Sequence, residues 1–217
     1  IKTYVNYSPP FSWVSRGVDP FLMQRNGGLE MGLTEDWLGY TAGPEYTSDT
    51  YALLRAAGQG QPLGGYMVGK SGGPLLQRIK YYVMVAGGAR QIMVYNYGPN
   101  YAGIDSWSEN YGIYPVIRDV QFELGHIDEA LNGTARRPAK IAILYNRTAA
   151  IWSGDDSTTE QAARFIRWAL THAGYDADII PEEDIVAGKL DQYKVLYIDG
   201  IQLRRDAAQK IADWTSH

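Results

Sequence analysis

Two clusters of acidic and aromatic residues are the parts of this chain best suited to chemistry. The first is Glu35-Asp36-Trp37, which follows a predicted strand, and the second is the loop that holds Asp105, Trp107 and Glu109. Carboxylates can transfer protons or attack an electrophilic carbon, and an indole offers a flat apolar face. A ligand that is dense in hydroxyl groups needs both kinds of partner, so these residue types point to a sugar.

The second cluster follows a stretch of sequence with a clear helix-then-strand pattern. The apolar residues before Gly87-Gly88 recur at the spacing of one helix face, and the glycine pair ends that helix. Residues 91–95 (QIMVY) are apolar enough for a strand that is buried on both faces, as in a parallel sheet. Asn96 and Tyr97 begin the loop that follows this strand. Because ligands bind beyond the carboxyl ends of parallel strands, we expect this loop to contact a substrate.

Strand-like and helix-like segments alternate along the chain. Strands are predicted at residues 2–6, 29–34, 63–68, 90–95, 140–145, 177–180 and 195–198. Helices are predicted at residues 48–57, 74–86, 115–131, 157–170 and 205–214. This alternation predicts an α/β fold with parallel sheets. Near residues 132–138 a helix ends, a new strand begins and tyrosine becomes scarce, which suggests one domain at residues 1–135 and another at 136–217.

The composition excludes several classes of function. The net charge is −4, from 20 basic and 24 acidic residues, and no basic block is present, which argues against nucleic-acid binding. No apolar run reaches the ~18 residues of a membrane span. The chain has no cysteine and 3 separated histidines, so we predict neither a metal site nor a cofactor. Because Ile1 looks like the middle of a strand, we expect the native amino terminus to lie outside this sequence.

One phosphate-binding pattern is present by coincidence. Residues 64–71 (GGYMVGKS) match the phosphate-loop pattern letter for letter. Such a loop must follow a strand and lead directly into a helix, whereas here the variable positions look like the strand itself. Gly72-Gly73-Pro74 then delays the next helix. We therefore favour a sugar-binding loop in which Lys70 donates hydrogen bonds.

Four stretches of the chain resemble glycoside hydrolases of family 42, the β-galactosidase type, and their relatives. They are Gln61-Pro62 before a strand, residues 86–99 (AGGARQIMVYNYGP), residues 102–112 (AGIDSWSENYG), and residues 139–146 (AKIAILYN) with residues 172–184 (HAGYDADIIPEED). The resemblance implies that residues 1–135 form the carboxyl-terminal part of a (β/α)8 TIM barrel. It also implies that residues 136–217 begin a doubly wound, flavodoxin- or amidotransferase-like domain used in trimerisation.

The chain departs from that family where its catalytic groups belong. Retaining members use two carboxylates about 5 Å apart, one as acid/base and one as nucleophile. The resemblance places the acid/base on an earlier strand, outside this chain, and the nucleophilic glutamate at the end of the seventh strand. That strand has no Asp or Glu from Leu63 to Pro74, and Asn96-Tyr97 replaces the Trp-Arg motif of the eighth. Glu35 is our first choice for a displaced nucleophile, and Asp36 is the second.

We expect the remaining site residues to bind substrate in one cleft at the carboxyl ends of the barrel strands. They are Trp37, Lys70, Asn96, Tyr97, Asp105, Trp107 and Glu109. A structural alternative stays open for the acidic members. Asp36 could cap the following turn, Glu35 could be solvated, and the two later acids could be ordinary loop charges.

Two classes of function follow. The first is a glycoside hydrolase acting on a β-galactoside-like or related carbohydrate, of which this fragment alone would be inactive. The second is a non-catalytic carbohydrate-binding or assembly relative that has lost the nucleophile. Either one needs the missing barrel half, from the full-length chain or from another chain. The resemblance implies a homotrimer and slightly favours a location in the cytoplasm. An Asn-Glu pair upstream of Ile1 would supply the acid/base carboxylate and so favour the first class, the enzyme.

Overall fold

The computed structural model describes residues 2–7, 17–36, 43–68, 73–95, 111–154 and 158–216. The strands are β1 (Tyr4–Tyr7), β2 (Met31–Asp36), β3 (Leu63–Val68), β4 (Ala89–Tyr95), β5 (Ile141–Tyr145), β6 (Ala177–Pro181) and β7 (Val195–Tyr197). The helices are α1 (Pro20–Asn26), α2 (Pro44–Gly58), α3 (Gly73–Ala86), α4 (Ile113–His126), α5 (Asp128–Asn132), α6 (Arg147–Ser153), α7 (Thr158–His172), α8 (Glu182–Val186) and α9 (Arg205–Thr215). Each described strand pair is parallel, which confirms the α/β prediction.

Contacts within the chain separate two compact units. Unit 1 comprises residues 1–9 and 28–137, and unit 2 comprises residues 10–27 and 138–217. Helix α1 therefore groups with the carboxyl-terminal third of the chain, although it stands between β1 and β2 in sequence. No composition change marks residues 10–27, so local sequence signals do not separate them from residues 1–135.

Unit 1 contains a four-stranded parallel sheet in the order β1-β2-β3-β4. Helices α2 and α3 contact one face of this sheet at Gly65. A Cβ atom at that glycine would lie 2.9 Å from Met84 Cε and 3.0 Å from the Thr34 carbonyl oxygen, and nearer still to the Tyr51 hydroxyl. The Tyr51 hydroxyl donates a hydrogen bond to the Gly64 carbonyl at 3.2 Å. The absence of a side chain at Gly65 thus permits the close approach of both helices.

The elements differ from prediction in several places, since α6 was not predicted and α2 begins at Pro44, before the predicted residue 48. Three further differences bear on the account. Strands β1 and β2 extend further toward their carboxyl ends, so that Glu35 and Asp36 lie within β2 rather than after it. The single helix predicted at residues 115–131 is wrong, because α4 ends at His126 and Ile127 leaves helical geometry with φ −114°. Gly125 weakens helix propensity at that point. Helix α1 was missed, although Asp19 followed by Pro20 is a recognisable helix start.

Unit 2 contains a three-stranded parallel sheet in the order β6-β5-β7. Its core joins β5 and β6 to α8, α9 and the 3₁₀ turn at Lys189–Gln192 through a cluster of buried residues, which are Ala142, Leu144, Ile180, Ile185, Leu190, Tyr193 and Ala207. Burying this apolar surface supplies the main favourable term for folding of the unit. Strands β6 and β7 lie on opposite sides of β5, so the chain passes from one edge of this sheet to the other between them, as expected for a doubly wound sheet.

Charged side chains hold α1 within unit 2. Arg25 donates two hydrogen bonds to the Asp184 carboxylate, at 2.9 and 3.0 Å. The Arg147 guanidinium donates to Asp19 at 2.6 Å, and Asp19 also caps the amino terminus of α1. The Phe21 ring lies 4.9 Å from that of Tyr145, between ring centroids. Paired charges and a ring contact therefore anchor this short helix.

The acidic run at residues 182–184 has a structural role in unit 2. The Glu182 side chain is 1% exposed. Its carboxylate accepts hydrogen bonds from the Thr148 backbone and hydroxyl and from the Arg204 backbone N–H. A buried carboxylate is tolerated when donors surround it in this way.

Substituting Gly65 with alanine should destabilise unit 1. The added methyl group would overlap Tyr51 and Met84, so we expect a loss of about 1–3 kcal/mol in the free energy of unfolding. The matched control is Gly125→Ala on α4, where a Cβ atom meets nothing within 4 Å. The control should gain up to about 1 kcal/mol from helix propensity. Urea denaturation of both variants is the measurement, and equal stabilities would contradict the packing described at Gly65.

Asp184 should make unit 2 sensitive to acid. Burial acts to raise the pKa of Asp184, but the hydrogen bonds from Arg25 and Lys189 outweigh it and hold that pKa below its usual value. The carboxylate therefore stabilises the folded state above its unfolded pKa of about 3.9, and this stabilisation is lost as the pH falls further.

Asp184→Asn should cost roughly 1–2 kcal/mol at pH 7, and its difference from the parent chain should shrink below about pH 4. Asp119→Asn, in the exposed pair with Arg118, is the control and should cost less than about 0.5 kcal/mol. Denaturation at pH 7 and pH 3 measures both variants. A gap between Asp184→Asn and the parent that does not depend on pH would refute this account.

Candidate functional site

The candidate site lies on the face of the unit 1 sheet opposite α2 and α3, which we call the site face. Strand pairing aligns Glu35 with Tyr66, and Leu33 with both Asn6 and Gly64. Side chains alternate between the faces of a strand, so each of these residues faces opposite to Gly65. The described positions of the site face are Tyr4, Asn6, Met31, Leu33, Glu35, Gly64, Tyr66, Gln91, Met93 and Tyr95.

Glu35 and Asn6 form the polar pair of this face. The Asn6 side-chain amide donates a hydrogen bond of 2.5 Å to Glu35 Oε1. The two residues belong to neighbouring strands, β1 and β2, so the sheet itself fixes their spacing. The Glu35 side chain is half-buried, and Asn6 is exposed. A carboxylate held in this way can accept further hydrogen bonds or act on a bound molecule.

Three tyrosines, Tyr4, Tyr66 and Tyr95, lie on the site face together with the Glu35–Asn6 pair. The Tyr66 and Tyr95 rings meet edge to face, with centroids 5.8 Å apart. A hydrogen bond with Tyr4 raises the pKa of Tyr66, and burial and the nearby charge of Glu35 raise it further. Tyr66 is therefore a neutral phenol at physiological pH. The cluster combines one carboxylate with aromatic surfaces and hydroxyl groups.

The structure describes two of the nine predicted site residues. Glu35 lies on the site face, away from α2 and α3, so it keeps the orientation that a substrate-binding role requires. Asp36 is the last residue of β2. The other predictions lie outside the described residues and stay predictions. They are Trp37, Lys70, Asn96, Tyr97, Asp105, Trp107 and Glu109.

Sequence reasoning missed Asn6, Tyr66 and the other two tyrosines of the cluster. The predicted site residues were chosen at and beyond the ends of the strands, whereas these residues lie inside the strands. A usable signal was available, because Tyr4 and Asn6 occupy alternate positions of one predicted strand. Alternate residues of a strand lie on the same face of the sheet. When helices cover one face, polar or amphipathic residues at this spacing indicate that the other face contacts a ligand or water.

Chemically, the described cluster offers one carboxylate beside a side-chain amide and aromatic rings. Glu35 is the single carboxylate among the site-face residues that the structure describes. Glycoside hydrolysis normally uses two carboxylates, one on each side of the bond that breaks. The Glu35–Asn6 pair and the tyrosines can therefore bind and orient a polyhydroxyl ligand, and cleavage requires a second carboxylate from elsewhere.

The residues that the structure describes offer no metal-binding cluster and no membrane-spanning helix. Within residues 2–7, 17–36, 43–68, 73–95, 111–154 and 158–216, no group of three or more His, Cys, Asp or Glu side chains could hold a metal ion. The helices in those ranges are all too short or too polar to cross a membrane.

Comparison with known proteins gives matches in structure alone. No family model matches the chain, and no curated protein matches it. GH5_18 from Streptomyces cattleya, in complex with GlcNAc, is similar with a TM-score of 0.56 and 10% identity, over 87% of this chain and 53% of that one. GH5_18 from Bifidobacterium longum subsp. longum ATCC 55813 has a TM-score of 0.53 and 13% identity, over 83% and 50%. A variant of that enzyme with Manβ1-4GlcNAc gives 0.55 and 13%, over 85% and 53%.

These similarities establish the fold. The chain has an α/β fold with parallel sheets that resembles part of a TIM-barrel glycoside hydrolase. It spans about half the length of each solved chain, at 50–53%. The match supports the glycoside hydrolase fold expected from the sequence, but it does not single out family 42.

The charge on Glu35 should be detectable through Tyr66. Replacing Glu35 with glutamine removes a negative charge that disfavours the tyrosinate, so the pKa of Tyr66 should fall toward its usual value. Glu129→Gln, an exposed change on α5, is the control and should leave Tyr66 unaltered. NMR titration of protein labelled at tyrosine Cζ measures both. An unchanged Tyr66 pKa in Glu35→Gln would show that the two side chains are not neighbours.

Proposed function

We propose that this chain is the carboxyl-terminal part of a TIM-barrel glycoside hydrolase, and that the site face binds carbohydrate. The observation that carries the proposal is the Glu35–Asn6 hydrogen bond beside Tyr66, on the sheet face that α2 and α3 leave uncovered. In this fold, side chains at the carboxyl ends of barrel strands provide the catalytic groups. Glu35 is the second-last residue of β2, which is such a position.

The residue types of the site face suit a sugar. Carbohydrates present hydroxyl groups along their edges and patches of C–H on their ring faces. The Asn6 amide and the Glu35 carboxylate offer a donor and acceptors for the hydroxyl groups, while Tyr66 and Tyr95 offer aromatic surfaces. The loops that carry Trp37 and Trp107 would add further aromatic platforms, as the sequence predicts.

For the reaction, we assign Glu35 as nucleophile, with Asp36 as the second choice. A retaining mechanism places the nucleophile about 5 Å from an acid/base carboxylate. We propose that the acid/base belongs to the missing barrel half, supplied by the full-length chain or by another chain. This division explains why the 217-residue chain by itself should bind sugar weakly and hydrolyse none.

The substrate class is a β-linked glycoside. The resemblance to family 42 favours a β-galactoside-like sugar. The similar solved structures contain GlcNAc and Manβ1-4GlcNAc, which makes these two sugars useful probes alongside a galactoside. The identities are 10–13%, so the choice among these sugars must come from an assay of this protein.

A non-catalytic carbohydrate-binding or assembly relative is the second candidate. The residues from Leu63 to Pro74 include no Asp or Glu, although family 42 would place its nucleophile there. This observation favours the second candidate. In this case Glu35 would bind a sugar hydroxyl without forming a bond to carbon. Both candidates share the site face and differ in turnover.

We also propose that unit 2 contributes to a homo-oligomer, a trimer by the family resemblance. Trp152 on α6 is 75% exposed, and Phe165 on α7 is 53% exposed. Large apolar side chains exposed at this level are common at protein interfaces. Light scattering of the full-length protein distinguishes a trimer from a monomer.

Glu35→Gln tests the catalytic assignment in the full-length protein. If Glu35 is the nucleophile, turnover of nitrophenyl β-glycosides should fall by several orders of magnitude while sugar affinity changes little. Glu129→Gln serves as the control and should retain parental turnover. Near-parental turnover in Glu35→Gln would remove Glu35 from this role. Binding of sugar by a parent protein without any turnover would instead favour the second candidate.

A further inference from the structure

The Glu35–Asn6 pair is rich in hydrogen-bond acceptors. Asn6 directs its amide nitrogen to Glu35 Oε1, at 2.5 Å, so the other end of this amide is a carbonyl oxygen, which is an acceptor. A carboxylate has about four lone-pair sites, and the bond from Asn6 uses one of them. A ligand group that donates several hydrogen bonds therefore matches this pair better than a group that accepts them.

The negative charge of Glu35 extends its influence to Tyr66. Strand pairing places Tyr66 directly opposite Glu35. A hydrogen bond with Tyr4 is the largest cause that raises the pKa of Tyr66, and the charge of Glu35 is a further cause. A cation bound beside Glu35 and Tyr66 would offset that charge.

Tyr66 and Tyr95 form a corner of aromatic surface on the site face. Their ring centroids are 5.8 Å apart and their planes meet at 69°. The face of an aromatic ring is negative and attracts a cation that lies within about 6 Å of the ring centroid. Two rings that are nearly perpendicular can therefore contact one cation from two sides.

Tyr4 holds the Tyr66 ring in place for this contact. Strand β2 lies between β1 and β3, so the hydrogen bond between the Tyr4 and Tyr66 hydroxyl groups crosses over β2 on the site face. Glu35, Tyr66 and Tyr95 are each half-buried and thus keep part of their surface exposed. A ring that is fixed before binding loses little rotamer freedom when a ligand arrives.

We propose that the site face recognises an ammonium group, and that its substrate class is a β-linked amino sugar with a free amine. This inference rests on the proposed carbohydrate-binding function and names the sugar that the function requires. A protonated amine carries three hydrogen-bond donors and a positive charge. It complements the Glu35 carboxylate, the Asn6 carbonyl oxygen and the face of Tyr66 together. A hydroxyl or acetamide group at the same position of the sugar lacks the charge.

The first test compares three methyl β-glycosides that differ in one group at carbon 2, which is a free amine, a hydroxyl or an acetamide. Each is titrated into the full-length protein by calorimetry, in the gluco and the galacto series. At about pH 6 an amine with a pKa near that of an α-amino group, about 8, is protonated. The amino compound should bind at least ~10-fold more tightly than the other two, because charge-assisted hydrogen bonds are roughly twice as strong as neutral ones.

Three substitutions assign this preference to the site face. Glu35→Gln removes the charge, so the affinity ratio should fall toward one while the affinity for the hydroxyl compound changes little. Tyr66→Leu removes the ring and should lower the ratio by roughly 2–5-fold, whereas Tyr66→Phe keeps the ring and should retain most of it. Glu129→Gln, an exposed change on α5, is the control and should keep the parental ratio.

A probe without a sugar tests the ammonium site by itself. Choline and 3,3-dimethylbutan-1-ol have nearly the same shape, but only choline carries a positive charge. Choline should bind the full-length protein at least ~2-fold more tightly, because the aromatic corner attracts its cation. NMR of protein labelled at tyrosine Cζ measures both affinities and should show the Tyr66 signal moving with choline.

Two outcomes of the glycoside titrations would overturn the proposal. Equal affinity for all three compounds would overturn it and leave carbohydrate binding at the site face in place. A preference for the amine that survives both Glu35→Gln and Tyr66→Leu would place the ammonium group elsewhere. If circular dichroism shows that Tyr66→Leu does not fold, Tyr95→Leu takes its place.

The sugar-free probe separates this inference from the function on which it rests. Failure of every glycoside to bind would count against the proposed carbohydrate-binding function. A preference for choline would then still support the ammonium site. Equal binding of choline and its neutral analogue, or binding of neither, would overturn the ammonium site whatever the glycosides do.

Discussion

Alternation of side chains in the parallel strands of unit 1 is the constraint from which the rest of the structure follows. Gly65 lets Tyr51 and Met84 approach the sheet, and so commits one face to α2 and α3. Register then leaves Glu35 and Tyr66 on the opposite face, because Glu35 aligns with Tyr66 across the two central strands. The same register brings Asn6 of β1 within 2.5 Å of the Glu35 carboxylate. A substitution that slipped one strand by a residue would move the cluster to the helix side.

The sequence predicted the order of most elements because glycine, proline and apolar spacing are local signals. The strand at residues 63–68 agrees with β3, and the strand at residues 90–95 agrees with β4 to within one residue. Helix α1 was missed because it is 7 residues long and is stabilised by distant partners, notably Asp184. The break at Ile127 was missed because apolar spacing continues through it. Contacts with residues far apart in sequence thus account for the first error, and a misleading local pattern accounts for the second.

The candidate site was predicted only in part, for a similar reason. Glu35 was found because it stands beside an aspartate and a tryptophan in the sequence. Asn6 and Tyr66 were not found, since their proximity to Glu35 comes from pairing between strands and not from spacing along the chain. The tyrosine cluster gives Glu35 a polar and aromatic environment.

The most direct test of carbohydrate binding at the site face is a crystal structure of the full-length protein with a bound disaccharide such as Manβ1-4GlcNAc. The account predicts a sugar hydroxyl or anomeric carbon within about 3.5 Å of the Glu35 carboxylate, with a ring against Tyr66 or Tyr95. A disaccharide bound elsewhere, with Glu35 and Asn6 paired as they are now and no sugar on the site face, would contradict it.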